Sequence, residues 1–155
     1  MRSHVIWIIL VLGCLVVVIG FARFRLSALQ EPGPVETRAA NGAKDLLIRL
    51  ASRKGIPQQP PNTKASIEAG ATKYGLDCST CHGIDGQAQT LSGRWMYPRA
   101  ADLPSKQVQS YSDQELFWII NNGIRFTGMP GFGKIESPEH IWSLVNYVRT
   151  LQSTK

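Results

Sequence analysis

The chain has 155 residues, with 17 basic and 11 acidic side chains and a formal net charge of +6. This length favours one domain of ordinary size with additional segments. Apolar residues make up 43% of the chain but concentrate near its start, so the remainder is too polar for a multi-span membrane protein. The remainder is also too rich in aromatic residues and patterned helices for a disordered protein.

The excess positive charge lies in one part of the chain. Residues 22–65 carry eight basic and three acidic side chains, whereas residues 66–155 carry eight of each. A nucleic-acid-binding protein needs a basic face on its folded part. Because the folded part is neutral here, we expect no nucleic-acid partner.

The first predicted element is an apolar helix near the start of the chain. Val5–Ala22 holds 18 residues without a charge. As a helix this stretch spans roughly 27 Å, which just matches the hydrocarbon core of a bilayer. We therefore predict a retained membrane anchor over residues 1–22. Two alternatives stay open: cleavage as a signal peptide after Gly20-Phe21-Ala22, and lipidation of Cys14, whose surroundings loosely resemble a lipoprotein signal.

Residues 23–65 are predicted to form a linker on the periplasmic side. Five prolines interrupt regular structure there. Between Asn41, which can cap a helix, and Gly55, which can end one, leucines and basic residues indicate a short amphipathic helix. This helix is either a solvated spacer or a segment that docks on a membrane surface or a partner.

The segment Cys78-Ser79-Thr80-Cys81-His82 carries the most specific motif. Cys-x-x-Cys-His is the haem attachment signature, because two thiols on one helical turn can add to the two vinyl groups of a porphyrin. A structural zinc site needs four ligands, and too few cysteines and histidines lie elsewhere. A thioredoxin-type redox pair needs a βαβ pattern, which the sequence does not show. We predict one covalent haem c whose iron is bound by His82.

The second axial ligand of the iron is predicted to be Met129. It lies in Gly128-Met129-Pro130-Gly131, where glycines let the backbone approach a flat cofactor and the proline favours an extended methionine. Met96 is the alternative ligand, and otherwise it packs at the haem edge. His140 lies at the start of a predicted helix and is expected to face solvent.

Three helices and no strand are predicted over residues 66–155, so the fold class is all-α. The first helix covers Ala65–Leu76. The second opens at the capping box Ser112-Asp-Gln-Glu115 and closes at Gly123. The third starts at Ser137-Pro138 and carries apolar residues at helical spacing. A core of this size is small, and a covalently fixed porphyrin would supply the missing apolar mass.

The sequence resembles the class I c-type cytochromes, in the single-haem, membrane-anchored bacterial form. Three segments are similar to the family's first helix, last helix and methionine loop, namely Gly70-x-x-x-Tyr74, Leu144-x-x-Tyr147 and Asn122–Pro130. The resemblance implies that the glycine of the first helix allows close crossing by the last helix. A further segment, Tyr97–Leu103, is similar to one found in bacterial members. The resemblance implies the class I cytochrome c fold, with three to five helices around a covalent haem, and here an N-terminal transmembrane helix.

The resemblance also implies residues around the haem. A proline carbonyl is expected to accept the proton from the outer nitrogen of the ligand histidine. Gly83 and Gly86 match the run that follows the motif in the family, but the first proline after it is Pro98, which is therefore our candidate. The candidates near the haem propionates or the haem edge are Trp95, Arg99 and Trp142. Simple packing is the alternative for the two tryptophans.

The predicted ligand pair indicates a function. Histidine and methionine fill both axial positions, which leaves no site for a small-molecule substrate, and methionine ligation raises the reduction potential. We expect an electron carrier, not an enzyme, that serves redox protein partners in respiratory or photosynthetic complexes. Haem attachment of this type places the folded domain in the periplasm, at the inner membrane. Two alternatives stay open: a fixed haem subunit of a larger oxidoreductase, and a haem enzyme or gas sensor in which Met129 is displaced.

Overall fold

The computed structural model describes the backbone of residues 2–23 and 29–151, and the side chains of residues 4–20 and 29–151. This part of the chain contains helices and no strand, which confirms the all-α prediction for it. The chain divides into two units, residues 1–30 and residues 31–155. The helices are α1 (Arg2–Arg23), α2 (Pro34–Ala51), α3 (Lys64–Asp77), α4 (Ser79–His82), α5 (Leu91–Trp95), α6 (Lys106–Gln109), α7 (Asp113–Asn122) and α8 (Pro138–Thr150).

The first unit contains α1. The described large apolar side chains of this helix are all exposed, from 48% for Ile19 to 69% for Val16. Among the described residues, no helix combines the length and the apolar character needed to cross a membrane. The predicted cleavage position after Ala22 lies where the backbone alone is described, and residues 24–28 of the predicted linker lie outside the described residues.

Helices α3 and α8 cross closely in the second unit. The crossing occurs at Gly70, where a Cβ would lie 2.0 Å from the carbonyl oxygen of Ser143 and 2.9 Å from the Cβ of Tyr147. The rings of Tyr74 and Tyr147 pack beside the crossing, with centroids 5.0 Å apart. The glycine that the sequence predicts at this contact is therefore confirmed, because any side chain there would push the helices apart.

The core of the second unit lies between α7 and α8. The ring of Phe117 packs on that of Trp142, with centroids 4.5 Å apart. The predicted helix boundaries are confirmed here: the capping box at Ser112 is formed, Gly123 follows the last residue of α7, and Ser137 caps α8. Other buried members of the core are Val108, Tyr111, Leu116, Ile119, Ile141, Val145 and Val148.

The predicted linker contains α2, which packs against α7. This helix begins at Pro34, earlier than predicted, because Gly33 takes the extended cap conformation and proline suits the first helical position. Ile48 is only 2% exposed and belongs to the core, and the Tyr111 hydroxyl donates to the Asp45 carboxylate. The prediction that residues 23–65 form a linker separate from the haem domain is corrected for the part that α2 covers.

The face of α2 that packs is not the leucine-rich face that the sequence emphasises. The leucines are more than half exposed, at 58%, 64% and 51% for Leu46, Leu47 and Leu50. Ile48 instead shares a face with Lys44 and Asp45, one turn earlier, and the Lys44 ammonium lies 5.8 Å from the centre of the Tyr111 ring. A mixed face is buried because the hydroxyl of Tyr111, just before α7, donates to Asp45 while Ile48 enters the apolar core.

Replacing Ile48 with alanine tests this packing. Because a cavity would form in the core, Ile48→Ala should lower the free energy of unfolding by about 2–4 kcal/mol. Leu46→Ala is the matched control on the exposed face of α2 and should change it by less than about 0.5 kcal/mol. Chemical denaturation of the haem-loaded full chain measures both values. Equal, small effects of the two substitutions would show that α2 is not docked.

Candidate functional site

The Cys-x-x-Cys-His motif folds into a single helical turn, α4, directly after α3. The backbone N–H groups of Cys81 and His82 both donate to the carbonyl of Cys78, at 3.1 and 2.9 Å. Gly83 ends the turn with φ of +77°, in the left-handed region that favours glycine. The turn therefore carries both thiols and the imidazole on one short rigid element, as the spacing in the sequence predicts.

The two cysteines of the motif are half-buried free thiols. Burial raises the pKa of Cys78 to about 12, and the nearby Asp77 and Cys81 add to this effect. The Cys78 thiol is therefore protonated at neutral pH. Among the described residues, no three histidine, cysteine or acidic side chains cluster closely enough to hold a metal ion. The arrangement suits thiols that form thioethers.

The imidazole of His82 is fixed through its Nδ1 atom. Nδ1 lies 2.9 Å from the carbonyl oxygen of Ala101, and it is the donor because a carbonyl only accepts. The prediction that Pro98 supplies this carbonyl is wrong; Pro98 lies three residues earlier in the same segment, and its side chain is exposed. Burial lowers the pKa of His82 despite the opposing effect of this hydrogen bond. The ring is therefore neutral at pH 7, with Nε2 as its free lone pair.

Ala101 supplies the carbonyl because its neighbours are held on both sides. The N–H of Ala100 donates to the Gly93 carbonyl at 2.9 Å, and the N–H of Leu103 donates to the Gly86 carbonyl at 2.9 Å. Residues 99–102 belong to no helix, so these bonds set the path of the backbone. The acceptor is selected by the path of this segment and not by the position of its proline.

Two side chains that the sequence analysis did not connect with the motif also support its backbone. The Tyr74 hydroxyl donates to the Gly83 carbonyl at 2.7 Å. The Thr90 hydroxyl donates to the Cys81 carbonyl at 3.0 Å and accepts from the Gly93 N–H at 2.9 Å. Thr90 carries a recognisable signal, because a threonine before a helix is a typical cap. The bond from Tyr74 has no signal in the sequence, since it depends on how α3 leads into α4.

Both candidate methionines lie in one region. Met129 is half-buried against the core, its N–H donates to the Thr127 hydroxyl at 3.2 Å, and its carbonyl accepts from Ile124 at 3.3 Å. Met96 is also half-buried. It packs on Gly128, the residue before Met129, where a Cβ would lie 2.8 Å from the Sδ atom of Met96. The methionine loop and the end of α5 are therefore in contact.

The remaining candidates have different surroundings. Trp95 is 75% exposed at the end of α5, and Arg99 is exposed and bonds to Glu31. Trp142 is 1% exposed, and its indole Nε1 finds no acceptor among the described residues. His140 is exposed, as predicted, with Nδ1 at 2.9 Å from the Glu136 carboxylate.

This set of groups fits a covalent haem. The polypeptide offers two free thiols on one turn, a neutral imidazole and a soft thioether sulfur. It also offers a buried indole N–H that calls for an acceptor. In addition, Trp95 and Phe126 expose 75% and 92% of their surface, which an apolar cofactor or partner can cover.

An all-helical domain with a Cys-x-x-Cys-His turn, a fixed histidine and a methionine loop defines a class I c-type cytochrome. A family model described as "Cytochrome C oxidase, cbb3-type, subunit III" matches residues 65–148, which is more than half of the chain. The chain belongs to this family, and its cofactor is covalently bound haem c with iron. No curated protein matches the chain in sequence.

Two solved structures are similar to the chain. One is "Kuenenia stuttgartiensis reducing HAO-like protein complex Kustc0457/Kustc0458", with 24% identity and a TM-score of 0.59 over 64% of this chain. The match spans 50% of that protein, and at this identity it supports the fold alone. The other is "KustC0563 c-type cytochrome", with 29% identity and a TM-score of 0.48, over 54% of this chain and 98% of that one.

Removing the Tyr74 hydroxyl tests its role beneath the motif. Tyr74→Phe leaves the Gly83 carbonyl without its donor and should lower the free energy of unfolding by about 1–2 kcal/mol. Tyr147→Phe is the matched control, because the hydroxyl of Tyr147 makes no hydrogen bond within the described part of the chain. Thermal unfolding of both haem-loaded variants gives the comparison. An equal loss of stability in the two variants would show that the Tyr74 hydroxyl does not stabilise α4.

Proposed function

We propose that this chain is a single-electron carrier in which His82 and Met129 would bind the haem iron. The observation that carries the proposal is the fixed imidazole: Nδ1 is committed to Ala101 at 2.9 Å, so Nε2 is the nitrogen left for iron. When bound, the haem supplies a reversible change of one electron between ferrous and ferric iron. Cys78 and Cys81 would hold the porphyrin on the same turn.

The chain's own residues give this role its character. The two groups that would hold the iron, the His82 imidazole and the Met129 thioether, are both neutral and would leave no position for water or oxygen. Buried, neutral surroundings disfavour the additional charge of the ferric state, which raises the reduction potential. Because the ligands come from a hydrogen-bonded turn and a packed loop, little rearrangement accompanies the change of oxidation state. These properties suit electron transfer and not substrate turnover.

Further residues of the site receive roles in the same proposal. Arg99 and the unpaired indole N–H of Trp142 are our candidate donors to the haem carboxylates. Trp95 is our candidate for covering the haem edge, because it is exposed at the end of α5. Pro98 belongs to the segment that leads to Ala101, but its carbonyl is not the acceptor for His82.

A second candidate function is that of a fixed haem subunit in a larger oxidoreductase. It is favoured by the description of the matching family as subunit III of an oxidase. The redox proteins that flank the haem would then be other subunits of the same assembly. A free carrier would instead exchange electrons with separate respiratory or photosynthetic complexes.

We also propose that α1 anchors the chain to the inner membrane, with the haem domain in the periplasm. The uncharged stretch continues in the sequence to Ala22, whereas side chains of α1 are described only to Gly20. The described apolar side chains along this helix are exposed. An exposed apolar helix of this composition needs a lipid or protein environment.

Extraction from native membranes tests the anchor and separates the two functions. An anchored chain should resist alkaline carbonate, dissolve in mild detergent and keep an intact mass that includes residues 1–22. Release by carbonate, or a mature chain that starts at Arg23, would overturn the anchor. Stoichiometric copurification with other redox subunits would identify a fixed subunit, and a haem protein purified alone would identify a carrier.

Truncating Met129 tests the proposed ligation. Met129→Ala should open the sixth position, lower the reduction potential and let carbon monoxide bind the ferrous protein, because a neutral sulfur ligand is lost. The weak sulfur-to-iron absorption band of the ferric protein should vanish as well. Met96→Ala is the control and should keep the band. Loss of the band in Met96→Ala alone would assign the ligand to Met96, and carbon monoxide binding by the unaltered chain would favour a sensor or enzyme.

A further inference from the structure

The segment before and within α2 reaches the loop that carries Ala101. Residues 31–52, here called the strap, contribute two carboxylates to this loop. The Tyr97 hydroxyl donates to Glu36 Oε1 at 2.5 Å, and the Arg99 guanidinium donates to the Glu31 carboxylate. These contacts join residues 61 and 68 positions apart in the chain. They are therefore tertiary contacts.

The strap is fixed at its other end. Ile48 is 2% exposed in the core, and the Asp45 carboxylate accepts from the Tyr111 hydroxyl. The Arg49 guanidinium lies 3.9 Å from the Glu115 carboxylate of α7. Because α2 is one continuous helix from Pro34 to Ala51, the position of Ile48 also fixes that of Glu36 in its first turn.

The loop on which the strap acts has two sides. On one side, Tyr97 and Arg99 extend their side chains to the strap. On the other, the backbone of Ala100 and Leu103 bonds to Gly93 and Gly86, and the carbonyl of Ala101 accepts from His82. Residues 97–102 belong to no helix, so contacts from both sides determine where this carbonyl points.

We propose that the strap positions the axial histidine: Glu31 and Glu36 hold Arg99 and Tyr97, and thereby the Ala101 carbonyl that fixes Nδ1 of His82. The inference rests on the proposed ligation by His82. Glu31 and Glu36 are positioning residues in this role, since neither reaches the imidazole. The partner of a ligand histidine sets the orientation and basicity of the ring. The strap therefore influences the haem iron through two intermediate contacts.

The Glu31 and Glu36 carboxylates of the strap contribute to the order of the loop more than to the stability of the fold. Glu31 and Arg99 have side-chain exposures of 72% and 58%, and exposed ion pairs add little to the free energy of folding. Their loss should leave global unfolding nearly unchanged while the loop opens more often. The sensitive quantity is the hydrogen bond of Nδ1, whose proton exchanges with solvent when the loop opens locally.

A pair of double variants in the haem-loaded full chain separates positioning from simple charge. Glu31→Ala/Glu36→Ala removes both carboxylates and both acceptors. Glu31→Gln/Glu36→Gln removes the same two charges but keeps an acceptor oxygen at each position. The readouts are solvent exchange of the His82 Nδ1 proton, followed by NMR in the diamagnetic ferrous state, and the reduction potential.

The alanine pair should exchange the Nδ1 proton about fivefold faster or more, and its potential should rise further than that of the glutamine pair, because a less basic imidazole stabilises ferric iron less. Tyr97→Phe, which removes one hydroxyl, should shift exchange in the same direction. Equal exchange rates of the His82 Nδ1 proton in both double variants and in the unaltered chain would overturn the positioning role of the strap. Loss of the haem or of the sulfur-to-iron band in every protein, the unaltered chain included, would instead contradict the proposed ligation.

Discussion

The hydrogen bond from His82 Nδ1 to the Ala101 carbonyl is the interaction on which the site depends. The imidazole lies on the same turn as the two cysteines that bind the haem covalently. A second contact must therefore hold the ring in one orientation toward the haem. The acceptor belongs to a segment without helical structure, held by backbone bonds to Gly86 and Gly93. Most of the second unit serves to place these two groups against each other.

Two layers of packing support that hydrogen bond. The crossing of α3 and α8 at Gly70 places Tyr74 so that its hydroxyl reaches the Gly83 carbonyl at the end of the motif. Around this crossing, α7 and α2 complete the core, and α2 brings the Glu36 carboxylate to Tyr97 of the loop that carries Ala101. A small apolar core is thereby extended by a segment that sequence composition assigns to a linker.

The sequence predicts the helices with strong local signals and misses contacts that depend on tertiary structure. The capping box at Ser112 is a local signal, the close crossing at Gly70 is implied by the resemblance to the family, and both are confirmed. The partner of His82 is misassigned to Pro98 because the choice depends on the path of a loop, which no spacing encodes. The docking of α2 is missed because its buried face carries one isoleucine among polar residues, whereas the periodicity emphasises the exposed leucines.

The proposed ligation would place the iron between the His82 imidazole and a methionine sulfur. X-ray absorption at the iron edge of the purified full chain, in both oxidation states, measures these neighbours. We expect one sulfur neighbour and otherwise nitrogen neighbours from porphyrin and imidazole, with little change between the ferric and ferrous forms. A first shell of nitrogen and oxygen atoms alone, or a sulfur that leaves on reduction, would contradict it.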